Sequence, residues 1–341
     1  MKLGDISVCV VELMGQAVES LGGNPAFEFE QYQLDATKLN SPDARISIPR
    51  FMRLGHACIE AYDIPWLGLE MGRLTTPGHQ GLAGLVAQTA PDIKTACRSI
   101  AEFELLSSFN ARGRTRFLIE QGEGVAHFYS ISPYNAYNLF VVDSVLGGWV
   151  KMLQWISGRT DVIKRLQFEF KAPDYLDYYE QYFDCDIEFG AERNAVVIHD
   201  WALGLPSVHR CASTHHGLKQ LAERELERVR LGLSFREVIE RAIGPLLKGK
   251  TPTLEDVSHR LNMAPWTIRR RLNAEKISFQ QVMNDTRRDL AVSYVRDTSL
   301  TLGEIAYLLG FGSTAAFQRA FKRWTGQAPG RFRDISRNRS Q

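Results

Sequence analysis

The 341-residue chain is poor in cysteine, and its five cysteines are widely spaced and odd in number. No two of them form a CxxC pair, which favours unpaired thiols in a reducing cytosol. The N-terminus lacks a secretory signal, because Asp5 and Glu12 interrupt the stretch where an apolar core would stand. We expect that no apolar stretch reaches the length needed to span a bilayer. These absences predict a cytoplasmic protein without structural disulfides or a membrane segment.

Motifs of the common enzyme classes are also missing. No GxSxG, HExxH, P-loop or GxGxxG motif occurs in a strand–helix context, so we expect neither catalytic residues nor a cofactor. We expect no metal site either, because the densest group of potential ligands matches no closed-site spacing. That group, which is more simply the start of a helix, consists of His209, Cys211, His215 and His216.

What the chain does have is an uneven distribution of charge. Residues 235–341 contain 19 Lys and Arg against 10 Asp and Glu, whereas residues 1–234 contain 22 against 29. A basic C-terminal third on an acidic body is typical of proteins that bind nucleic acid. A basic surface that is merely solvated would give the same counts, so charge alone leaves that alternative open.

The pattern of apolar residues changes together with the charge. Residues 1–212 mix amphipathic helices with alternating segments such as 166–170 and 194–198, without the regular alternation of a parallel β/α fold. One charged amphipathic helix follows, and the remaining residues show only helical periodicity. We therefore predict a multidomain protein with an α+β N-terminal domain (1–212), a linker helix (213–233) and an all-α C-terminal domain (234–341).

The C-terminal region contains two helix–turn–helix patterns, the first over about 253–274. Thr253 and Asp256 have the spacing of a capping box, and Pro265 opens the second helix at its first turn. Ile268 points inward on that helix. The outward arc suits entry into a DNA groove, since Arg pairs with guanine and Thr contacts a thymine methyl. The predicted DNA contacts on this arc are Trp266, Thr267, Arg269, Arg270, Arg271 and Asn273.

The second pattern covers about 302–324. Gly310 ends its first helix, where glycine adopts a positive φ at little cost, and Ser313 can cap the next helix. Phe317, Phe321 and Trp324 recur on that helix at the spacing of a buried face. Small residues at its start allow the backbone to approach a groove closely. The predicted DNA contacts here are Ser313, Thr314, Ala315, Gln318, Arg319 and Lys322.

Two roles stay open within these sets. Arg319 has an alternative to DNA, namely an ion pair with an acidic residue of the preceding helix. Of Arg269, Arg270 and Arg271, we expect at least one to bind phosphate rather than a base, because most protein–DNA contacts are to the backbone. A long helix between the two patterns would set the recognition helices about one DNA turn, roughly 34 Å, apart.

The second pattern resembles the signature of AraC/XylS-type transcription regulators. That signature consists of Gly-Phe, five further positions, Phe-x-Arg-x-Phe-Lys, Gly-x-x-Pro and a terminal aromatic-Arg. The first pattern is similar in Pro265, Ile268 and Arg270, and departs at Leu272, where the family often has Phe. The residues that match the signature are Gly310, Phe311, Phe317, Arg319, Phe321, Lys322, Gly326, Pro329, Phe332 and Arg333.

The N-terminal half is similar to the arabinose-binding-like domain of ornithine- and arginine-responsive regulators in this superfamily, through residues 81–108 and 178–198. The resemblance implies an effector-binding domain that takes an amino-acid-derived or amphipathic metabolite. It also implies a homodimer that binds promoter DNA in two successive major grooves and activates transcription with RNA polymerase.

Candidate effector-binding residues lie in and just after the predicted hairpin of residues 116–131. Arg116 or His127 would bind an anionic group of the effector, with Tyr129 and Tyr134 close in sequence. Ordinary sheet residues on a solvated face are the alternative for each of them.

Three rival interpretations remain. An effector-independent repressor is one, and a purely architectural DNA-binding protein is another, although the latter would not need a large acidic α+β half. A small-molecule enzyme is the third, and the chain offers no catalytic motif for it.

Overall fold

The computed structural model describes residues 4–32, 34–41, 44–110, 115–130, 134–231, 235–247, 249–298 and 300–338. The chain divides into two compact units. The N-terminal unit consists mainly of residues 5–229, and the C-terminal unit consists mainly of residues 230–341.

Two sheets and the helices around them make up the N-terminal unit. Its strands are β1 (Gly4–Ser7), β2 (Arg45–Ser47), β3 (Ser108–Asn110), β4 (Arg116–Glu120), β5 (Glu123–Phe128), β6 (Ile163–Phe168), β7 (Asp186–Phe189) and β8 (Asn194–Ile198). Its helices are α1 (Cys9–Ser20), α2 (Ala26–Gln31), α3 (Ala36–Leu39), α4 (Ile48–Tyr62), α5 (Leu67–Leu74), α6 (Gly81–Gln88), α7 (Ile93–Ser107), α8 (Leu139–Ser157), α9 (Leu176–Tyr182) and α10 (Ala212–Leu231).

The strands form a three-stranded sheet in the order β2-β1-β3 and a five-stranded sheet in the order β4-β5-β8-β6-β7. In the larger sheet only β6 and β7 pair in parallel. Alternate residues of a strand point to opposite faces. One face is apolar, and its Ala126, Leu166, Phe168, Val196 and Ile198 share a continuous core with α8. The N-terminal unit is therefore the α+β domain that the sequence predicted.

Helix α8 is the centre of that core. By length and composition it could cross a membrane, contrary to the expectation from the sequence, but 67% of its most apolar window is buried inside the unit. Its neighbour α5 approaches closely because it carries glycine at the contact. A Cβ atom on Gly68 or Gly72 would come within 2.3 or 2.8 Å of the α8 backbone. The apolar character of α8 is thus explained by burial within the protein.

Helix α10 coincides with most of the predicted linker helix. Its Ala222 and Leu226 are buried in a small cluster with residues of α6 and α7. It is therefore packed on the N-terminal unit along part of its length. The domain boundaries at 212 and 233 stay predictions.

The described residues of the C-terminal unit form helices without strands, as predicted. The helices are α11 (Phe235–Ile243), α12 (Leu254–Leu261), α13 (Pro265–Ala274), α14 (Phe279–Asp297), α15 (Leu302–Leu308), α16 (Thr314–Thr325) and α17 (Pro329–Asn338). The pairs α12–α13 and α15–α16 are the two helix–turn–helix units. Helix α14 lies between them in sequence and packs against α11, α15, α16 and α17. At 1.5 Å per residue its length is about 28 Å.

Candidate DNA-binding surface

Local caps fix the first helix–turn–helix unit. Thr253 and Asp256 each accept a hydrogen bond from the backbone N–H of the other, which confirms the predicted capping box. Helix α12 ends at Asn262, whose φ of 50° lies in the left-handed region that Asn tolerates. Pro265 opens α13, and Ile268 on its inner face is fully buried. The opposite side of α13 is thereby turned to solvent.

A stripe of large and charged side chains runs along that outer side. Trp266, Arg269, Arg270 and Asn273 recur at spacings of three and four residues, so they share one face, and all four are exposed. Trp266 is 62% exposed, and the Arg270 guanidinium lies 5.2 Å from its ring centroid. Neither Arg269 nor Arg270 forms an ion pair with any residue that the structure describes. Two uncompensated positive charges therefore flank an exposed aromatic ring.

Two other predicted contacts lie beside the stripe. The Arg271 guanidinium stacks over the ring of Phe235 in α11, 4.0 Å from its centroid, a favourable cation–π distance. Thr267 is half-buried. Of the three consecutive arginines, Arg271 is thus the one that stacks on a residue of another helix.

The second unit repeats this local design. Thr301 and Glu304 form a capping box at the start of α15. Gly310 has a φ of +68°, and the Ser313 hydroxyl accepts a hydrogen bond from the Ala316 N–H at 3.2 Å. The predicted positive φ at Gly310 and the predicted cap at Ser313 are both confirmed. The turn and the start of α16 are therefore encoded locally.

Helix α16 has one buried face and one exposed face. Phe317 and Phe321 are fully buried, whereas Trp324, predicted on the same buried face, is only partly buried near the end of the helix. Arg319 forms no ion pair with any described residue, so the alternative role in an ion pair with the preceding helix gains no support. The whole predicted contact set of this unit is exposed: Ser313, Thr314, Ala315, Gln318, Arg319 and Lys322.

One residue that the sequence analysis missed holds the second turn in place. Arg287 of α14 is only 8% exposed. Its Nε donates to the carbonyl of Leu309 at 2.8 Å, and its Nη2 donates to the carbonyl of Gly310 at 2.6 Å and to Thr251 Oγ1 at 2.7 Å. The Leu309 and Gly310 carbonyls lie at the C-terminal end of α15, where the last carbonyls of a helix have no hydrogen-bond partner within the helix. Arg287 therefore ties the segment before α12 to the turn before α16.

In the N-terminal unit, two candidate effector residues are neighbours. Arg116 and His127 lie directly opposite each other on β4 and β5, so their side chains share a face of the sheet. Arg116 is exposed, and His127 and Tyr129 are half-buried. Tyr134 accepts a hydrogen bond from Asn194 Nδ2 at 2.6 Å, and Asn194 belongs to the opposite, apolar face. The structure therefore does not group Tyr134 with Arg116 and His127, and their role in effector binding stays a prediction.

Two buried carboxylates anchor the tyrosine-rich segment around α9. Asp143 of α8 accepts hydrogen bonds from the hydroxyls of Tyr179 at 2.6 Å and Tyr175 at 3.2 Å. Glu70 of α5 accepts one from the Tyr182 hydroxyl at 2.6 Å. These tyrosines therefore bind α9 to the interior through their polar ends.

The environments of these two carboxylates set opposite pKa shifts. Burial raises the pKa of Asp143 to about 7 against the hydrogen bonds from Tyr179 and Tyr175. Burial would also raise the pKa of Glu70, but hydrogen bonds led by that from Arg73 outweigh it and lower the pKa to about 2.

We expect Asp143→Asn to flatten the pH dependence of stability of the N-terminal unit. When folding raises the pKa of a carboxyl, that group contributes most to the free energy of unfolding at pH values below its unfolded pKa, near 4. This contribution is lost as pH rises through the folded pKa, about 7. The Glu70 contribution has the opposite sign and is lost only as pH falls through about 2, so it is constant near neutrality. Hydrogen exchange of α8 amides, corrected for intrinsic rates and followed from about pH 5 to about pH 8, measures the trend. The exposed Asp161→Asn should keep the wild-type trend, and an unchanged trend in Asp143→Asn would contradict the assignment.

The described side chains of the His- and Cys-rich stretch 209–216 are not arranged as a set of metal ligands. His209 stacks on Trp155 with ring centroids 5.9 Å apart, and the His215 Nδ1 atom lies 3.1 Å from the Val86 carbonyl oxygen. Within the part of the chain that the structure describes, no three His, Cys, Asp or Glu residues are placed to hold a metal ion.

Both units match known protein families. Residues 22–207 match the arabinose-binding domain of AraC transcription regulators, N-terminal, and residues 257–335 match a helix-turn-helix domain. The chain is 24% identical over 335 residues to the ornithine utilization regulator of Pseudomonas aeruginosa, which covers 96% of each chain. It is 25% identical over 330 residues to the HTH-type transcriptional regulator VirS of Mycobacterium tuberculosis, covering 93% of this chain and 92% of that one. It is also 25% identical over 278 residues to the HTH-type transcriptional regulator VqsM of Pseudomonas aeruginosa, covering 78% of this chain and 83% of that one.

All three relatives are named as regulators, two of them as HTH-type transcriptional regulators, and none is named as an enzyme. The arabinose-binding-domain match alone spans more than half of the chain. The chain therefore belongs to the AraC family of DNA-binding transcription regulators that combine an N-terminal ligand-binding domain with a C-terminal helix-turn-helix domain.

Proposed function

We propose that the chain is a cytoplasmic, effector-responsive activator whose two recognition helices, α13 and α16, read successive major grooves of one promoter site. The observation that carries this proposal is the pair of outward faces whose arginines have no ion-pair partner among the described residues. Helix α14, about 28 Å long, is comparable with the roughly 34 Å turn of DNA that the two helices would span. The proposed DNA contacts are Trp266, Thr267, Arg269, Arg270, Arg271, Asn273, Ser313, Thr314, Ala315, Gln318, Arg319 and Lys322.

The arginines of α13 divide between base and backbone contacts. Arg269 and Arg270 lie on the exposed stripe and have the reach and fork geometry to pair with guanine. Arg271 stacks on Phe235, which directs its guanidinium towards α11. We assign it a phosphate contact, which positions the protein without reading sequence.

Arg270→Ala is expected to cost about 1–3 kcal/mol on the preferred site and to relax the preference at one base pair. Arg271→Ala is the matched control, and we expect it to weaken binding to all sequences by a similar factor. Fluorescence anisotropy at fixed salt, on a site selected from a random library and on its single-base variants, measures both effects. A uniform loss for Arg270→Ala across those variants would make it a backbone contact instead.

The N-terminal unit is proposed to bind a small organic effector that shifts the population of DNA-competent protein. The match to the arabinose-binding domain supports this role, and the name of the ornithine utilization regulator suggests amino-acid-derived compounds as the first probes. Amphipathic metabolites are the second class to test. Arg116, His127, Tyr129 and Tyr134 stay the proposed effector residues.

Two experiments test the regulatory part of the proposal. Native mass spectrometry of the purified chain should reveal a carried-over ligand and a homodimer. Run-off transcription with RNA polymerase from the selected promoter should rise when the ligand is added. A fall in transcript would make the protein a repressor, and a response that is identical without ligand would remove the effector from the proposal.

A further inference from the structure

Strand β4 lies at one end of the five-stranded sheet, and among the described strands β5 is its only neighbour. The two strands are joined by Gln121 and Gly122, which both have positive φ. Such a two-residue loop makes the flanking residues, Glu120 and Glu123, a hydrogen-bonded pair. Hydrogen-bonded and non-hydrogen-bonded pairs alternate along an antiparallel ladder. The backbone groups that point away from β5 therefore belong to residues 117 and 119.

These outward groups are left without partners in the described chain. No described residue forms a hydrogen bond with the outward N–H or C=O of Phe117 or Ile119. An open edge of this kind is a template for another strand, and proteins usually protect it with central charges, proline or a bulge. The five residues of β4 include no proline, and their charges are confined to the two ends.

The middle of β4 is apolar on both faces of the sheet. Leu118 and Ile119 are neighbours and therefore point to opposite faces, and each is 44% exposed. Phe117 is partly buried against the core. An exposed apolar edge that continues on both faces is suited to strand pairing.

The sequence of β4, Arg-Phe-Leu-Ile-Glu, is complementary to itself in antiparallel orientation. Pairing about Leu118 places Arg116 opposite Glu120 of a second copy, and symmetry repeats this contact at the other end. Phe117 then faces Ile119 of the second copy, so the outward N–H and C=O groups meet. A register centred on Ile119 instead would place Glu120 opposite Leu118 of the second copy and leave both glutamates without a cationic partner.

We propose that two copies of this chain pair through β4 and so form one antiparallel sheet across a two-fold axis at Leu118. The partner is a second copy because a symmetric interface must be complementary to itself, and the charges of β4 meet that condition. The Glu120 carboxylate already accepts hydrogen bonds from Nη1 and Nη2 of Arg193, at 2.8 and 2.7 Å. Its carboxylate has lone pairs for a second guanidinium, so Arg116 of the second copy completes an Arg–Glu–Arg cluster.

This inference rests on the homodimer in the proposed function and assigns a surface to it. It also gives Arg116, which forms no ion pair within the described residues, a role in dimerisation beside its proposed role in effector binding.

A disulfide at the axis tests the pairing directly. In the proposed register Leu118 forms a non-hydrogen-bonded pair with itself, with Cα atoms about 4.5 Å apart, which a disulfide can bridge. Leu118→Cys in a Cys211→Ser background should oxidise to a covalent dimer on non-reducing electrophoresis. Leu176→Cys, 37% exposed at the start of α9, is the matched control. Equal cross-linking of the two variants would overturn the proposal.

Charge reversal tests the register by sedimentation velocity. Arg116→Glu and Glu120→Lys should each weaken dimerisation at least tenfold, because like charges then face each other twice. An equal mixture of the two variants should restore the dimer, since every pair becomes complementary. Glu180→Lys, an exposed reversal away from β4, should leave dimerisation unchanged.

Three outcomes would each overturn the proposal. The wild-type chain could be monomeric, both charge-reversal variants could dimerise as tightly as wild type, or the mixture of the two variants could fail to form dimers. Anisotropy titrations of the same variants on DNA separate this result from the proposed function. Sequence-specific binding by a chain without β4 pairing rejects only the interface, whereas loss of specificity in every chain, wild type included, rejects the regulator.

Discussion

Replacing Gly310 by alanine is expected to lower the free energy of unfolding of the C-terminal unit by about 2–5 kcal/mol. Its φ of +68° lies in the left-handed region, which costs a residue with a side chain about 1–2 kcal/mol. A Cβ atom there would also lie 2.2 Å from the backbone carbonyl oxygen of Lys250. The segment before α12 would have to move, at a further cost of about 1–3 kcal/mol.

Gly312→Ala is the matched control for this change. It lies two residues further along the same turn, and no described atom beyond its chain neighbours comes within 4 Å of an added Cβ. We expect a change within about 0.5 kcal/mol. Hydrogen exchange of the α15 and α16 amides in the full chain gives both opening free energies. Equal values for the two variants would show that the turn does not pack against Lys250.

The second large effect is expected at Arg287. Arg287→Ala should destabilise the C-terminal unit by about 2–4 kcal/mol, because it removes three hydrogen bonds at once and leaves the Gly310 carbonyl with only a 3.3 Å bond from the Thr251 hydroxyl. It should also weaken DNA binding, since these bonds hold the turn from which α16 emerges.

Arg288→Ala is the adjacent control. Its side chain is 40% exposed and pairs with Asp285 and Asp289, and exposed pairs of this kind contribute less than about 1 kcal/mol. Arg287→Lys should recover only part of the loss, because an ammonium group cannot reproduce the fork of a guanidinium. Urea denaturation followed by hydrogen exchange of α14 compares the three variants. Similar losses for Arg287→Ala and Arg288→Ala would contradict the clamp.

The C-terminal unit could be predicted in detail because its signals are local. A capping box needs only Thr253 and Asp256, a helix start needs only Pro265, and a turn needs only Gly310. The exposed faces of α13 and α16 follow from helical spacing once the inward residues are identified. The residues proposed to contact bases could therefore be selected from the sequence alone.

Other features depend on contacts between residues that are distant in sequence. The sheet of β1, β2 and β3 consists of strands of three or four residues, too short to show an alternating pattern. Arg287 sits on a helix rich in charge, and only the fold shows that its guanidinium meets two carbonyls rather than water. The sequence does not mark α8 as a possible span, because polar residues such as Asp143 interrupt its apolar run, and only the fold pairs Asp143 with tyrosines.

The same limit applies to the tyrosines around α9 and to the candidate effector residues. Hydrogen bonds from Tyr179 and Tyr182 to buried carboxylates link segments that lie 36 and 112 residues apart in sequence. Arg116 and His127 are neighbours because of a hairpin register, whereas Tyr134 lies on the other face of the sheet. Spacing in sequence could suggest the hairpin but not the side on which each residue would lie.

The central claim is that α13 and α16 together read a DNA sequence. Selection of the full-length chain on a random duplex library, followed by anisotropy competition at fixed salt with and without cell extract as a source of effector, tests it most directly. We predict a two-part motif with its halves about one helical turn apart, bound at least about a thousandfold more tightly than random duplex. Equal affinity for selected and random duplex, with and without extract, would contradict the account.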